Sequence, residues 1–376
     1  MRLSDGDYTE LDARLADHDA FLKSRYPGER PGRQPVHTVY IPADRLDNFR
    51  DWGSIALAAM TDFPWEADDI RAKLAAEPIE DLRVDFEDGY GVRSDDEEDE
   101  VVRRAAKILR AGPVPPFLGI RIKSLEAATR HRALRTLDLF LDSYQDTVEI
   151  TLPKVSGTDQ VAAMVTLAEK LEKAYGLPAG TLTFEIQIEL PSAILAADGT
   201  ATVARLITAA AGRCTGLHYG TYDYSAAAGV AAAYQSMEHP AADYAKAVIQ
   251  AAAAQTGVRL SDGSTNILPV GSEQDVQAAW ALHYRLVRRS LERGFYQGWD
   301  LHPAQLPTRY AATYAFFRDG RDAAVDRLHR YLSRQDSGIA DEPATARALA
   351  GYLLRGLDCG ALTDAGFPRA DLQKLA

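Results

Sequence analysis

The sequence predicts an α/β fold, a (β/α)8 TIM barrel with an N-terminal helix and a C-terminal helical extension. Short β-prone segments alternate with longer helical patterns from about residue 36 onward, as in βαβ units of a parallel sheet. Eight such segments fall within about 270 residues, as a barrel of this kind requires. A doubly wound open sheet is the alternative, but it commonly has a glycine-rich phosphate loop after its first strand. Here the first predicted strand is followed by PADRLDNF, which favours the barrel.

The predicted elements divide the chain into three parts: an N-terminal helix and linker (1–34), the catalytic barrel (35–320) and a C-terminal helical extension (321–376). The predicted strands lie at about 36–41, 81–87, 117–122, 147–152, 182–189, 214–220, 257–268 and 295–301. The predicted helices lie at about 8–24, 97–110, 125–141, 158–175, 200–211, 237–255 and 272–292, and residues 45–75 are also mostly helical.

The composition limits the classes of partner. Of 376 residues, 46% are hydrophobic and 26% are charged, which is ordinary for a globular protein. The formal net charge of −12 argues against a nucleic-acid-binding surface, which needs clustered Lys and Arg. The acidic run at 94–100 is interpreted as the start of a helix, where carboxylates suit the helix dipole and every side chain can remain hydrated.

The sequence also indicates a compartment. No apolar run approaches the roughly 18–20 residues that cross a bilayer. The first 15 residues lack the apolar core of a signal peptide. Cys214 and Cys359 form neither a disulfide framework nor a CxxC metal site. We therefore expect a cytoplasmic protein that does not bind a membrane.

Strongly polar residues recur where the predicted strands end. In a (β/α)8 barrel, the carboxyl ends of the strands form the face that carries the active site. The residues at these positions are Asp85, Glu87, Asp88, Arg121, Lys154, Glu189, Asp223, Asp300 and His302. Their recurrence at one end of successive strands predicts a functional site there.

Two carboxylates and one arginine indicate the chemistry. Glu189 and Asp223 come from the neighbouring strands five and six, and Mg²⁺ usually takes only one or two protein carboxylates. Arg121 can hold a substrate carboxylate through two parallel hydrogen bonds. A metal beside an oxo or hydroxy acid polarises its oxygen and stabilises an enolate. The pattern therefore makes carbon–carbon bond cleavage or formation plausible.

Each of these residues also has a structural interpretation. Asp223 could cap the following helix, and Arg121 could pair with a carboxylate on a neighbouring strand, such as Glu87 or Glu149. Lys154 could be a solvated loop residue. From the residues alone, these alternatives stay open.

The end of the last strand is equally ambiguous. His302 precedes Pro303, which could be the first residue of a helix. A structural His302 bonded to the backbone is then at least as plausible as a catalytic one.

At these residues the sequence resembles the citrate lyase β-subunit / HpcH/HpaI aldolase superfamily. Seven segments between about 36 and 305 resemble motifs of that family, in the same order: HTVYIPADR, VDFEDGYG, GIRIKS, LPKV, IQIELPSAIL, HYGTYDYSAAAGV and GWDLHPAQL. The resemblance implies a TIM barrel with a Mg²⁺ or Mn²⁺ site made by Glu189 and Asp223. It also implies that Arg121 grips the substrate carboxylate, with Glu87 and Asp88 near the metal.

The candidate site residues follow from this resemblance. The candidate catalytic residues are Arg121, Glu87, Asp88 and Lys154. The candidate substrate-binding residues are Arg121, Gly220, Thr221, His302 and Pro303. The general base stays open between Asp88, a metal-bound water and a residue of a partner subunit.

The resemblance implies a magnesium-dependent carbon–carbon lyase, performing aldol- or Claisen-type cleavage or condensation. The expected substrate is a small oxo or hydroxy carboxylic acid, or its CoA thioester, and the expected assembly is a homo-oligomer, a trimer or a hexamer. Two other functions stay open: a metal-dependent hydrolase of acyl-CoA thioesters on the same barrel, and a non-catalytic binding subunit.

Three features depart from the family pattern. Leu190 and Pro191 replace the common Thr-Ala after strand five, and Lys123 replaces the usual Asn or Asp. The helical C-terminus does not resemble the usual short tail, which can help to cover the active site. These departures bear on the acyl group and on the use of CoA.

Overall fold

Eight parallel strands form a nearly closed barrel surrounded by helices. The computed structural model describes residues 2–65, 68–333 and 342–376. The strands pair in the order β7-β6-β5-β4-β3-β2-β1-β8. Between the two outer strands, a parallel bridge joins Ser261 and Gln297, and the Asp262 N–H donates to the Gln297 carbonyl at 2.8 Å. The predicted (β/α)8 barrel is therefore confirmed over the doubly wound sheet.

All eight predicted strands are present, although several are shorter than predicted. Their bounds are β1 His37–Pro42, β2 Asp81–Asp85, β3 Phe117–Arg121, β4 Glu149–Leu152, β5 Phe184–Ile188, β6 Cys214–Tyr219, β7 Arg259–Ser261 and β8 Gly298–Asp300. The largest difference is at β7, because most of the irregular segment predicted at 257–268 is loop.

The helices lie between and after the strands. The α-helices are α1 Asp5–Arg25, α2 Trp52–Ala59, α3 Asp68–Ala76, α4 Asp95–Arg110, α5 Arg130–Tyr144, α6 Thr158–Tyr175, α7 Pro191–Ile194, α8 Thr202–Ala209, α9 Thr221–Ala227, α10 Pro240–Ala253, α11 Glu273–Glu292, α12 Leu306–Ser333, α13 Pro343–Asp358 and α14 Arg369–Leu375. Short 3₁₀ helices span Ala43–Asp51, Ala232–Tyr234 and Pro303–Gln305. Within these described residues, no helix is long and apolar enough to cross a membrane.

Alternation along the strands sorts apolar from polar side chains. On β2, Leu82 and Val84 belong to the hydrophobic core, whereas Arg83 and Asp85 contact polar residues of other strands inside the barrel. All of these side chains are buried. A polar interior is stable only when its charges are paired, because an unpaired buried charge is very costly.

The acidic run at 94–100 begins a helix, as expected. The Ser94 hydroxyl accepts a hydrogen bond from the Glu97 N–H at 3.3 Å, and α4 follows. The expectation that every side chain stays hydrated is wrong for two residues. Glu98 is buried against the Lys123 ammonium at 2.8 Å, and Asp99 is buried against Arg132 at 2.6 Å. Both carboxylates are neutralised by these pairs, and the pair with Arg132 joins α4 to α5.

The C-terminal helices pack beside the end of the barrel where the strands begin. The Tyr310 hydroxyl on α12 donates to the Pro78 carbonyl, shortly before β2, at 3.0 Å. Arg355 on α13 pairs with Glu29 of the linker. The boundary predicted at residue 320 falls inside α12, and the division of the chain into three parts stays a prediction.

A buried cluster of charges holds the last strand against the first. The Asp300 carboxylate accepts a hydrogen bond from His37 Nδ1 at 2.8 Å and pairs with Arg309 Nη2 at 2.9 Å. The other ring nitrogen of His37 accepts from the Glu80 N–H at 3.0 Å, so that Nδ1 carries the proton. β8, β1 and α12 are joined through this one carboxylate.

We expect Asp300→Asn to lower the free energy of unfolding by about 3–5 kcal/mol, because the buried Arg309 guanidinium loses its counter-charge. Asp319→Asn is the matched control, since Asp319 pairs with Arg288 at 2.8 Å but is 65% exposed. That change should cost about 1 kcal/mol or less. Chemical denaturation measures both, and equal effects would contradict a structural role for the Asp300 cluster.

Candidate active site

Asp85 and Arg121 form the base of the mouth of the barrel. The strand register places the two residues side by side at the ends of β2 and β3. Arg121 Nε and Nη2 donate to the two oxygens of Asp85, each at 2.7 Å. The carboxylate also accepts the backbone N–H groups of Glu87 and Gly89, each at 2.9 Å. Asp85 therefore orients both the arginine and the loop that carries Glu87.

The remaining nitrogen of Arg121 faces other residues of the mouth. Arg121 Nη1 lies 3.5 Å from Glu87 Oε2, and its guanidinium lies 4.8 Å from the centroid of the Tyr40 ring. Gln187, oriented to satisfy its neighbours, accepts from Nη1 and donates to Glu189 Oε1, both at 3.3 Å. Asp85 thus binds Nε and Nη2 of Arg121 closely, whereas Nη1 makes longer contacts with Glu87 and Gln187.

Lys154 brings the carboxylates of the mouth together. Its Nζ lies 2.8 Å from both Asp88 and Asp223, 3.7 Å from Glu189 and 4.0 Å from Glu87. Burial disfavours the charged amine, but these carboxylates, Glu189 first, outweigh it and raise the pKa of Lys154. The ammonium therefore lies among four carboxylates from the segments that follow β2, β5 and β6.

The backbone at Lys154 has an unusual conformation. Its φ of 51° lies in the left-handed region, which residues other than glycine seldom adopt. In this conformation the Lys154 N–H donates to Glu189 Oε2 at 2.9 Å, while the ammonium approaches the same carboxylate. A strained residue held this way by its surroundings is characteristic of functional sites.

Glu87 and Asp88 are adjacent in the chain but electrostatically different. Burial raises the pKa of the Glu87 carboxyl to about 8, although Arg121 opposes the rise. For Asp88, Lys154 outweighs the effect of burial and holds the pKa below its usual value. Two neighbouring acids in opposite protonation states at neutral pH can serve as a proton donor and a proton acceptor.

Glu189 occupies a tight position at the end of β5. The residue is buried, and burial raises the pKa of its carboxyl despite the nearby Lys154. A Cβ atom on Gly220 would lie only 2.6 Å from Glu189 Cγ, so that a larger residue at 220 would force the Glu189 side chain to move. Asp223 lies in the first turn of α9 and does not cap it, because the helix begins after Gly220.

The structure does not join His302 to the carboxylate cluster. Its Nδ1 accepts from the Ala304 N–H at 3.2 Å, and Pro303 is the first residue of the following 3₁₀ helix, as the structural interpretation holds. Burial lowers the pKa of His302, which keeps the ring neutral. The Thr221 hydroxyl, next to Gly220, is buried and has no hydrogen-bond partner among the described residues.

A second charged layer lies below the mouth. Glu185 on β5 accepts from Arg83 Nη2 at 3.0 Å, from His218 Nε2 at 2.8 Å and from the Tyr40 hydroxyl at 3.2 Å. Arg83 and Asp85 lie on the same inward face of β2, because alternate residues of a strand point to the same side. Asp85 and Glu87 are two residues apart and share this face, so that the alternation alone does not show which of them binds Arg121.

The donor set at the mouth suits a magnesium or manganese ion. Glu189 and Asp223 converge on one position that a cation, the Lys154 ammonium, already fills. Within the described part of the chain, no group of three or more His, Cys, Asp or Glu side chains is arranged to hold a metal. Mg²⁺ needs no such group, because it fills its other positions with water and substrate. Binding of the metal there requires that the Lys154 side chain move aside.

The raised pKa of Glu87 predicts a pH-dependent stability. A carboxyl whose pKa rises from 4.5 to about 8 on folding holds its proton more tightly in the folded state. Its contribution to stability is therefore lost as the pH rises through this window. We expect Glu87→Gln to flatten the fall in the free energy of unfolding between these pH values, measured without divalent cations.

The control for this prediction is Glu10→Gln, which removes an exposed carboxylate from α1. Its pH profile should follow that of the unmodified protein. If Glu87→Gln leaves the pH profile unchanged, the proton is not held at Glu87.

Several solved structures share this fold. A citrate lyase from Burkholderia xenovorans LB400 aligns with a TM-score of 0.64 and 19% identity over 91% of this chain and 97% of its own. The protein CitE from Mycobacterium tuberculosis, in complex with magnesium and acetoacetate, aligns with a TM-score of 0.52 and 18% identity over 86% and 98%. The magnesium/glyoxylate complex of malate synthase from Haloferax volcanii aligns with a TM-score of 0.55 and 15% identity over 88% and 93%.

At these identities the three alignments show that this chain shares the fold of a citrate lyase, of CitE and of a malate synthase. None of the curated proteins matches the sequence. The family described as "Domain of unknown function (DUF6986)" matches residues 15–374, nearly the whole chain. The chain therefore belongs to the DUF6986 family.

Proposed function

We propose that this protein is a magnesium- or manganese-dependent carbon–carbon lyase or condensing enzyme. The observation that carries the proposal is the convergence of Glu189 and Asp223 on one cation position at the mouth of the barrel, close to Arg121. When bound there, the metal would polarise the carbonyl oxygen of an oxo acid and favour its enolate.

The solved structures of similar fold support a small oxo acid as the substrate. CitE from Mycobacterium tuberculosis has been solved with magnesium and acetoacetate, with magnesium and pyruvate, and with magnesium, acetoacetate and coenzyme A. Malate synthase from Haloferax volcanii has been solved with magnesium and glyoxylate. We propose a small oxo or hydroxy carboxylic acid, or its CoA thioester, as the substrate of this protein.

Arg121 is the proposed carboxylate-binding residue. Asp85 saturates Nε and Nη2, so that the substrate carboxylate is received at the Nη1 edge. Asp85 then acts as a positioning residue, because it fixes the plane of the guanidinium. Gly220, Thr221, His302 and Pro303 are the other proposed substrate-binding residues.

Asp88 and Glu87 are proposed as the base and the acid of the cleavage reaction. Asp88 has a lowered pKa and accepts the proton of the substrate hydroxyl. The carbon–carbon bond breaks, its electron pair passes into the enolate of the leaving fragment, and the hydroxyl carbon becomes a carbonyl. Glu87, protonated near neutral pH, gives its proton to the enolate carbon. The condensation reaction uses the same two groups in the reverse sense.

Lys154 is proposed to neutralise the carboxylates when the site is empty and to contact the substrate when it is full. Because its ammonium lies within 4.0 Å of four carboxylates, its displacement leaves a position of strongly negative potential. A trimeric or hexameric homo-oligomer is likewise proposed from the resemblance, and a cytoplasmic location is proposed from the sequence.

Product analysis separates the possible activities. The protein is incubated with Mg²⁺, CoA thioesters and the oxo acids oxaloacetate, pyruvate and glyoxylate. Formation or loss of a carbon–carbon bond supports the lyase or condensing enzyme. Free thiol without a new keto or hydroxy acid supports the thioester hydrolase, and binding without turnover supports the non-catalytic subunit.

We expect Glu189→Gln and Asp223→Asn each to weaken Mn²⁺ binding by at least about tenfold, because each removes a charged ligand. Electron paramagnetic resonance of free Mn²⁺ measures the affinity, and turnover should be lost in parallel. Asp198→Asn is the control, since Asp198 is exposed, accepts hydrogen bonds from Thr200 and pairs with the exposed Arg205 at 3.8 Å. Unchanged Mn²⁺ affinity in both site variants would overturn the metal assignment.

We expect Lys154→Met to tighten Mn²⁺ binding by at least about tenfold, because the competing ammonium is removed from the same carboxylates. The same titration measures this effect, and its sign is opposite to that of general damage to the site. Lys170→Met, on the exposed face of α6, is the matched control. Weaker Mn²⁺ binding in Lys154→Met would show that the ammonium and the metal do not share a position.

A further inference from the structure

A second polar cavity lies at the opposite end of the barrel. Its volume is about 630 Å³, within the range of roughly 300–1,000 Å³ that is usual for small-molecule sites. Its wall includes Asp81, Phe117 and Glu149, the first residues of β2, β3 and β4. The cavity is therefore separate from the mouth: Glu185, which lines it, and Glu189 are four residues apart on β5, about 13 Å along the strand.

Two arginines on the rim of this cavity lack counter-charges. Arg30 of the linker and Arg259 on β7 both line it, and neither has an acidic side chain within 4.0 Å in the described part of the chain. Arg259 donates one hydrogen bond, from Nη2 to the Gly32 carbonyl at 3.0 Å. Burial and the nearby Arg30 lower the pKa of Arg259, and the opposing effects of Glu149 and Asp358 do not offset them. The two guanidinium groups thus repel each other at the edge of a cavity.

The acidic residues near these arginines are engaged elsewhere. Glu29, next to Arg30 in the chain, pairs with Arg355 of α13. The half-buried Glu149 carboxylate accepts hydrogen bonds from the Thr183 hydroxyl at 2.9 Å and from the Thr215 hydroxyl, and burial raises its pKa. Neither carboxylate lies within 4.0 Å of the nitrogens of Arg30 or Arg259.

The inner wall offers one more unused polar atom. His218 is only 2% exposed, and its Nε2 lies 2.8 Å from Glu185. Its Nδ1 is buried without a hydrogen-bond partner among the described residues. Arg83, which lines the same wall, is saturated by Asp81 and Glu185. A buried ring nitrogen without a hydrogen bond destabilises the fold unless a ligand or a water molecule donates one to it.

We propose that this cavity is a binding site for a small organic anion that carries a carboxylate or a phosphate group. The acidic group lies between Arg30 and Arg259 and neutralises both. The rest of the molecule extends inward, where a polar atom meets His218 Nδ1. Because active sites of such barrels lie at the other face, the bound anion is not a substrate of the mouth.

The test is isothermal titration calorimetry of the full-length protein with inorganic phosphate and with succinate, at constant ionic strength set by chloride. The unmodified protein should bind at least one of the two probes saturably. Arg259→Met and Arg30→Met should each weaken that binding by roughly tenfold, because a charge-assisted hydrogen bond is lost. Arg259→Lys, which keeps the charge, should lose less affinity than Arg259→Met.

The matched control is Arg205→Met, which removes a 58% exposed arginine on α8 and should leave the affinity unchanged. Preference for phosphate or for succinate identifies the acidic group, and either result supports the site. The proposal is overturned if neither probe binds saturably, or if Arg259→Met and Arg30→Met bind as the unmodified protein does. The second outcome would place the anion elsewhere, for example at Arg121 and Lys154. Arg30 is exposed, so that its variant tests the site even if Arg259→Met fails to fold.

Discussion

In a closed barrel, the charged side chains that face inward are shielded from water and must pair with one another. Arg83 reaches across from β2 to Glu185 on β5, and Arg121 on β3 is held by both oxygens of Asp85 on β2. Replacement of one partner in such a buried pair costs several kcal/mol, since the other charge is left without compensation. The same pairs fix the position of the groups above them. Arg121 presents one edge to the mouth only because Asp85 takes the other two nitrogens.

The mouth of the barrel contains more acidic than basic side chains. The Lys154 ammonium lies within 4.0 Å of four carboxylates, those of Glu87, Asp88, Glu189 and Asp223. The backbone of Lys154 is in the left-handed conformation. An arrangement with more carboxylates than cations attracts a further positive charge and shifts the protonation of its own members. At the opposite end of the barrel, Arg30 and Arg259 have no acidic side chain within 4.0 Å among the residues that the structure describes. We thus propose a cation-binding site at one end of the barrel and an anion-binding site at the other.

Much of this arrangement follows from patterns in the sequence. The helix predicted at 158–175 matches α6 residue for residue, because glycine follows directly at residue 176 in the left-handed conformation that ends helices. The recurrence of polar residues where the predicted strands end predicts a group of side chains, among them Asp85, Arg121 and Glu189, at one end of the barrel. Partner choice could not be predicted, because side-chain reach across the barrel depends on the strand register. For this reason Arg83 was overlooked as the partner of Glu185, and the burial of Glu98 against Lys123 was not foreseen.

The most direct test of the account is a crystal structure of the protein soaked with MnCl₂ and pyruvate, with anomalous scattering used to locate the metal. The account predicts one manganese ion bound by Glu189 and Asp223, the Lys154 ammonium displaced from both, and the pyruvate carboxylate at the Nη1 edge of Arg121. An unchanged Lys154 between the two carboxylates, with no anomalous peak at the mouth, would contradict it.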